Sequence, residues 1–118
     1  MKVLVVHRQK GLTKIIKDRL HPWGVHRAHT GLDGLLATRT ERFDLVICEL
    51  DLPVVTGIEM IRSIRICSTY KNIPVVVMKQ GLESDGHARL IRMLNANLLT
   101  MKEVYEMQKM VVDPDYAQ

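Results

Sequence analysis

Short apolar runs alternate with amphipathic segments along this chain, and the alternation predicts its fold. The runs at residues 3–6, 44–48 and 75–78 are rich in β-branched side chains, and the second begins with one polar residue. Such runs are typical of strands buried on both faces of a parallel sheet. Shorter and looser runs at residues 25–29 and 96–99 are predicted as two further strands.

Between these runs, apolar residues recur every three or four positions, which predicts amphipathic helices. The first helix begins near Gly11 and ends before residues 21–24, Thr30 can cap the second, and Gly57 precedes the third. Ser84 or Asp85 can cap the fourth, and the last covers residues 102–110. Five alternations of strand and helix predict a doubly wound α/β fold, with helices on both faces of a parallel sheet.

In such folds, ligands bind outside the carboxyl ends of the strands. The residues that follow the predicted strands are therefore the first candidates for chemistry. They are His7, Arg8, Glu49, Lys79 and Lys102.

Composition adds limits on compartment and cofactors. Apolar residues make up 47% of the 118 residues and charged residues 25%, which is the balance of one globular domain. Because no run approaches ~18 apolar residues and no signal-peptide pattern opens the chain, we expect a cytoplasmic protein that does not contact membranes. Cys48 and Cys67 are predicted to be free thiols, and the histidines show no zinc-ligand spacing with them.

The net charge of +4 raises the possibility of nucleic-acid binding. The basic residues are spread along the chain and aromatic residues make up 4% of it, so a mildly basic surface is the better interpretation. The sequence contains no glycine-rich phosphate loop, nucleophile elbow or paired catalytic carboxylates. We therefore expect a protein that is not an enzyme.

Residues 43–57 carry the most specific family signal. After an apolar strand come Glu49, then Leu52 and Pro53, then Gly57 four residues beyond the proline. This stretch resembles the receiver domain of two-component response regulators. Residues 2–8, 73–78 and 95–103 are similar to other segments of that family, so the resemblance runs from residue 2 to about residue 110.

The resemblance implies a flavodoxin-like fold with strand order 2-1-3-4-5. It also implies a receiver-like domain at residues 1–112, followed by a polar tail or the start of a linker at residues 113–118. The expected partners are another signalling protein or an effector domain, so nucleic acid would be reached only through an effector domain outside this chain.

Several positions differ from the family pattern at the phosphorylation site. His7 and Arg8 stand where receivers have an acidic pair that binds magnesium, and Glu49 stands at the phosphoacceptor position. A Thr or Ser is replaced by Lys79 and an aromatic residue by Leu99, whereas the family lysine is retained as Lys102. The resemblance therefore implies a degenerate pseudo-receiver that needs no cofactor and binds magnesium weakly or not at all.

The charges at these positions lead to a hypothesis about mechanism. Glu49 could pair with Lys102, Lys79 or Arg8, so that an internal ion pair locks the domain in one state. Two alternatives remain open. The residues could be solvated and uncoupled, or their positive charge could bind phosphate, a nucleotide or a partner's carboxylate.

The predicted function is phosphorylation-independent interaction with a partner or with a second copy. The resemblance implies a face formed by the fourth helix, fifth strand and last helix, which would contain His87, Arg89, Arg92, Leu98, Tyr105, Glu106 and Lys109. One alternative is a receiver that still accepts a phosphoryl group from a histidine kinase on Glu49 or Asp51. Another is the regulatory domain of a DNA-binding transcription regulator whose effector domain would follow Gln118.

Overall fold

The computed structural model describes residues 1–67, 70–81 and 84–112, except for the side chain of Cys67. Strands and helices alternate through this part of the chain. Their bounds are β1 Lys2–Val6, α1 Lys10–Arg19, β2 Gly24–Ala28, α2 Gly31–Thr40, β3 Leu45–Cys48, α3 Gly57–Cys67, β4 Val75–Met78, α4 Asp85–Met93, β5 Asn97–Leu99 and α5 Met101–Val112. The predicted tail at residues 113–118 and the predicted Cys67 thiol lie outside the described residues, whereas Cys48 is a buried free cysteine.

The strands form a parallel five-stranded sheet in the order β2-β1-β3-β4-β5. Val3 lies between Val25 of β2 and Leu45 of β3, and Val76 of β4 pairs with Asn97 of β5. The predicted fold class and strand order are confirmed. Because the central strands are parallel, their carboxyl ends meet at one edge of the sheet.

Side chains that alternate along the strands divide the core into two layers. Leu4 and Val6 of β1 face α2, α3 and α4, where they pack with residues such as Met60 and Ile91. Val3 and Val5 face the opposite layer, formed by α1 and α5. A continuous apolar strand is therefore needed to fill both layers, which explains the runs in the sequence.

Helix α2 differs from the apolar stripe that its sequence indicated. Leu35 is buried, but Leu32 and Leu36 are 40% and 47% exposed. The helix packs instead through glycines, because a Cβ at Gly31 would lie 1.9 Å from the Val55 carbonyl oxygen. Small residues let this helix approach the β3–α3 loop closely, and Leu32 and Leu36 turn outward.

The guanidinium of Arg65 joins the end of α4 to the α3–β4 loop. Its Nε donates to the carbonyl oxygen of Leu94 at 2.9 Å, and its Nη2 donates to that of Asn95 at 3.1 Å. Its Nη1 donates to the carbonyl oxygens of Lys71 and Ile73 at 2.7 and 2.6 Å. One side chain thus satisfies backbone acceptors at the end of a helix and in a neighbouring loop.

Across the described ranges, the structure contains no helix that is long and apolar enough to cross a membrane.

Two helical glycines give a matched test of the close packing of α2 against its neighbours. An added Cβ at Gly34 in α2 would lie 2.8 Å from Met60 Sδ and 2.9 Å from Val6 Cγ2, whereas one at Gly11 in α1 meets nothing within 4 Å. We expect Gly34→Ala to lower the free energy of unfolding by about 1–3 kcal/mol through overpacking. Gly11→Ala should raise it by about 0.5 kcal/mol through helix propensity. Urea denaturation measures both, and equal effects would contradict the close approach of α2.

Candidate functional site

Glu49 lies at the centre of the edge where the strands end. It directly follows β3, its backbone N–H donates to the Val6 carbonyl oxygen at 3.2 Å, and its side chain is 0% exposed. The chain turns tightly around it, since a Cβ at Gly57 would lie 2.3 Å from the Glu49 carbonyl oxygen. Glycine at position 57 therefore allows the start of α3 to pass close to the backbone of Glu49 and Leu50.

Three donors converge on the carboxyl oxygens of Glu49. The backbone N–H of Arg8 donates to Oε1 at 2.7 Å. His7 Nε2 lies 3.2 Å from Oε2, and Gln80 Nε2 donates to the same oxygen at 3.1 Å. Arg8 Nε is further away, at 4.0 Å from Oε2. The carboxyl group thus acts as a multiple acceptor, as a buried carboxylate must.

The second ring nitrogen of His7 fixes the tautomer of the imidazole. The backbone N–H of Gln9 donates to Nδ1 at 3.0 Å, so Nδ1 carries no proton. A neutral ring then carries its proton on Nε2, directed at Glu49. Burial lowers the pKa of His7 below its ordinary value; Glu49 opposes this shift, whereas the charges of Arg8 and His29 add to it. The His7 ring therefore connects β3 with the start of α1 in its neutral form.

Arg8 connects the buried carboxyl group with the surface. Its backbone binds Glu49, while its guanidinium Nη1 pairs with Asp51 Oδ2. The side chains of this second pair are 45% and 79% exposed, so water screens it. Arg8 is thus held by two carboxyl groups of the β3–α3 segment.

The predicted pairing of Glu49 with Lys79 or Lys102 is wrong. Both lysine side chains are exposed, and among the described residues the side chains that contact the Glu49 carboxyl group are His7, Arg8 and Gln80. Lys79 instead uses its backbone, whose N–H donates to the Leu99 carbonyl oxygen at 2.7 Å. Leu99 is half-buried and packs toward α1 and α5. Of the three predicted cations, Arg8 alone contacts Glu49.

Sequence reasoning overlooked two residues at this edge. Gln80 lies one position after Lys79, which was predicted at this edge, and it is Gln80 that reaches Glu49. His29 follows β2, and its Nδ1 lies 3.2 Å from the His7 carbonyl oxygen. The sequence signal for these two residues was their position just beyond β4 and β2, because the carboxyl ends of the parallel strands meet at this edge.

The Cys48 thiol directly precedes Glu49 in the sequence. Burial, with a further effect of Glu49, raises the pKa of the Cys48 thiol to about 12, so this thiol stays protonated at neutral pH. Within residues 1–67, 70–81 and 84–112, there is no group of three or more His, Cys, Asp or Glu side chains placed to hold a metal ion.

The predicted interaction face presents charges of both signs. His87, Arg89 and Arg92 are exposed on α4, Glu106 of α5 is half-buried, and Lys109 is exposed. Leu98 packs against the core from β5. Tyr105 turns toward α1, where the Arg19 guanidinium carbon lies 4.4 Å from its ring centroid.

A mostly apolar groove of about 590 Å³ runs along α5. It is lined by Lys102, Glu103, Glu106, Met107, Met110 and Val111. The methionines provide a deformable apolar surface on α5, next to Glu106 of the predicted interaction face.

The Glu49 network can be tested through stability. Glu49→Ala leaves three donors without their acceptor, so we expect the free energy of unfolding to fall by about 2–4 kcal/mol. Glu49→Gln keeps one acceptor oxygen and should cost about 1–2 kcal/mol. Asp51→Ala removes an exposed partner of Arg8 and should cost less than about 1 kcal/mol. Equal stability of Glu49→Ala and the unmodified protein in thermal denaturation would exclude a structural role for the network.

Comparison with known proteins agrees with this geometry. The response regulator receiver domain family matches residues 3–112. The chemotaxis protein CheY of Pseudomonas aeruginosa is 27% identical over 88 residues, which cover 72% of this chain and 71% of CheY. The KDP operon transcriptional regulatory protein KdpE of Escherichia coli is 36% identical over 91 residues, which cover 75% of this chain and 39% of KdpE. The structure of CheY4 of Vibrio cholerae superimposes with a TM-score of 0.79 at 23% identity, covering 96% of each chain. The chain therefore belongs to the response regulator receiver domain family.

Proposed function

We propose that this receiver domain acts in signal transduction without being phosphorylated, through contacts with another signalling protein, an effector domain or a second copy. The observation that carries the proposal is the occupation of both Glu49 oxygens by donors of the protein itself. Receiver domains interact with kinases and effector domains and are not typical enzymes, so an interaction role fits the family.

The residues at the strand ends do not fit a magnesium site. Mg²⁺ requires octahedral oxygen coordination and usually binds one or two carboxylates with several waters. Here Oε1 of Glu49 faces the Arg8 N–H and Oε2 faces His7 and Gln80. The Arg8 guanidinium, held between Glu49 and Asp51, would also repel a cation. We therefore expect magnesium binding to be weak or lost.

Phosphoryl transfer to Glu49 meets a second obstacle. The transfer depends on an oxygen positioned in line with the donor phosphate. The Glu49 side chain is 0% exposed, so an incoming phosphoryl donor cannot reach it without opening the network. Asp51 is the accessible carboxyl group, and phosphoryl acceptance there is the alternative that its exposure favours.

The charges of α4 and α5 support docking between two copies. The exposed cations of α4 and the glutamates along the α5 groove have opposite signs. A two-fold contact would place α4 of one copy against α5 of the other, since such an interface repeats the same patch on both copies. The apolar groove would supply the buried centre of that contact.

A second candidate function is that of the regulatory domain of a transcription regulator. Similarity to KdpE, of which this chain spans 39%, favours a receiver joined to an effector domain in a longer protein. The dimer described above would then bring two effector domains together.

The phosphorylation-independent mode predicts no response to a phosphoryl mimic. We expect amide resonances around Glu49, Asp51 and Lys102 to stay in place in NMR spectra when magnesium and beryllofluoride are added. The metal and the mimic require a free carboxylate, which Glu49 does not offer. Asp51→Asn serves as the control, because saturable shifts that disappear in this variant would assign phosphoryl acceptance to Asp51. Saturable shifts that persist in it would show that Glu49 binds the mimic, and either result would contradict the proposal.

Dimerisation through the α5 groove gives a separate prediction. Met110 lies in this groove and Ile15 lies on α1, and the two side chains are 53% and 54% exposed. We expect Met110→Glu to shift sedimentation toward the 13.5 kDa monomer, because a charge in an apolar interface must be desolvated. Ile15→Glu places the same charge outside the groove, so this variant should still sediment as a dimer. A wild-type protein that sediments as a monomer at about 100 μM, a concentration at which even micromolar contacts are occupied, would overturn homodimerisation.

A further inference from the structure

The His7 ring links two parts of the fold that belong to different segments. Its Nε2 faces the buried Glu49 carboxyl group, and its Nδ1 accepts from the backbone of Gln9. Gln9 is the N-cap residue of α1, and its own side chain makes no capping hydrogen bond. The ring therefore couples the N-cap of α1 to Glu49, next to the direct bond that the Arg8 N–H donates to the same carboxyl group.

This link exists in one protonation state only. A protonated imidazole carries hydrogens on both nitrogens, so Nδ1 would present a proton to the Gln9 N–H. Two donors would then face each other at a separation of 3.0 Å. The ring can keep its bond to Glu49 after protonation, but the bond to Gln9 must break.

The groups around His7 have opposing effects on its proton affinity. Glu49 from the end of β3 favours the charged ring, while Arg8 on the same turn and His29 from the end of β2 disfavour it. Asp51 partly neutralises Arg8, and from the end of β4 Gln80 is an uncharged donor to Glu49, while Lys79 is exposed. His29 differs from His7, because its Nδ1 faces a carbonyl oxygen and not a backbone N–H.

We propose that His7 is an acid-sensitive latch: its protonation breaks the hydrogen bond from the Gln9 N–H and releases the N-cap of α1 from the imidazole ring. This inference rests on the proposed function, since a domain that is not phosphorylated needs another way to change state. The latch supplies one that uses a proton and no cofactor. The released element would be the start of α1 at Gln9, while His7 and the Arg8 N–H stay bound to Glu49.

The sign of the pH dependence follows from the lowered pKa of His7. The unfolded chain takes up a proton at this histidine as the pH falls below about 6.5, whereas the folded domain takes it up only at lower pH. The stabilising contribution of the latch is therefore complete above about pH 6.5 and is lost as the pH falls through the folded-state pKa.

NMR of the full chain tests the latch directly. The ring nitrogens of His7, observed in ¹⁵N-labelled protein at pH 7.5, should report a neutral ring with its proton on Nε2. On acidification, the His7 ring and the amides of Arg8 and Gln9 should shift together in one titration step. In His7→Gln, which offers a non-titrating amide donor to Glu49, the amides of residues 8 and 9 should lose that step. His87→Gln, an exposed histidine on α4, should keep it.

Several outcomes would overturn the latch. A His7 ring with its proton on Nδ1 at pH 7.5 would do so without any variant. Amide shifts at residues 8 and 9 that survive in His7→Gln, or that vanish in His29→Gln, would assign the step to another group. The proposed function fails by a different result, namely beryllofluoride-dependent shifts at pH 7.5. The two ideas are therefore separable.

Discussion

The architecture of the site depends on one constraint: a carboxyl group that is removed from water needs donors on both of its oxygens. Glu49, at the end of β3, meets this requirement with a backbone amide and an imidazole from the end of β1 and a side-chain amide from the end of β4, which the parallel sheet brings together. Desolvation opposes burial of such a group, so the donors must be held in place by the fold. The turn after β1 and the end of β4 provide that positioning.

Much of the fold could be predicted because its cause is local. The three central strands fill a layer on each side, so their sequences are apolar without interruption, and the helices between them follow from spacing. Helix α2 was harder, since its burial is decided by how closely Gly31 and Gly34 approach the neighbouring loop and Met60. That approach depends on the tertiary path of residues 53–55, which no periodicity in α2 encodes.

The candidate site was predictable in position but less so in its contacts. Parallel topology places Glu49, His7 and Arg8 at one edge, and the sequence order alone locates them there. Lys79 and Gln80 are neighbours after β4 and both are exposed, but it is the Gln80 side-chain amide that reaches Glu49. A charge count favoured lysines as partners, whereas shape favoured shorter or rigid donors that reach a buried oxygen without bringing a second full charge inside.

The hydrogen bonds of Arg65 have a mechanical consequence for α4. They clamp the carbonyl groups at the C-terminal end of this helix, at Leu94 and Asn95, to the same side chain that holds the α3–β4 loop. The N-terminal end carries a Ser84 cap that binds within the helix itself, to the His87 N–H. Helix α4 is therefore held at its C-terminal end, so that a displacement of this end would be passed to the α3–β4 loop through the Arg65 side chain.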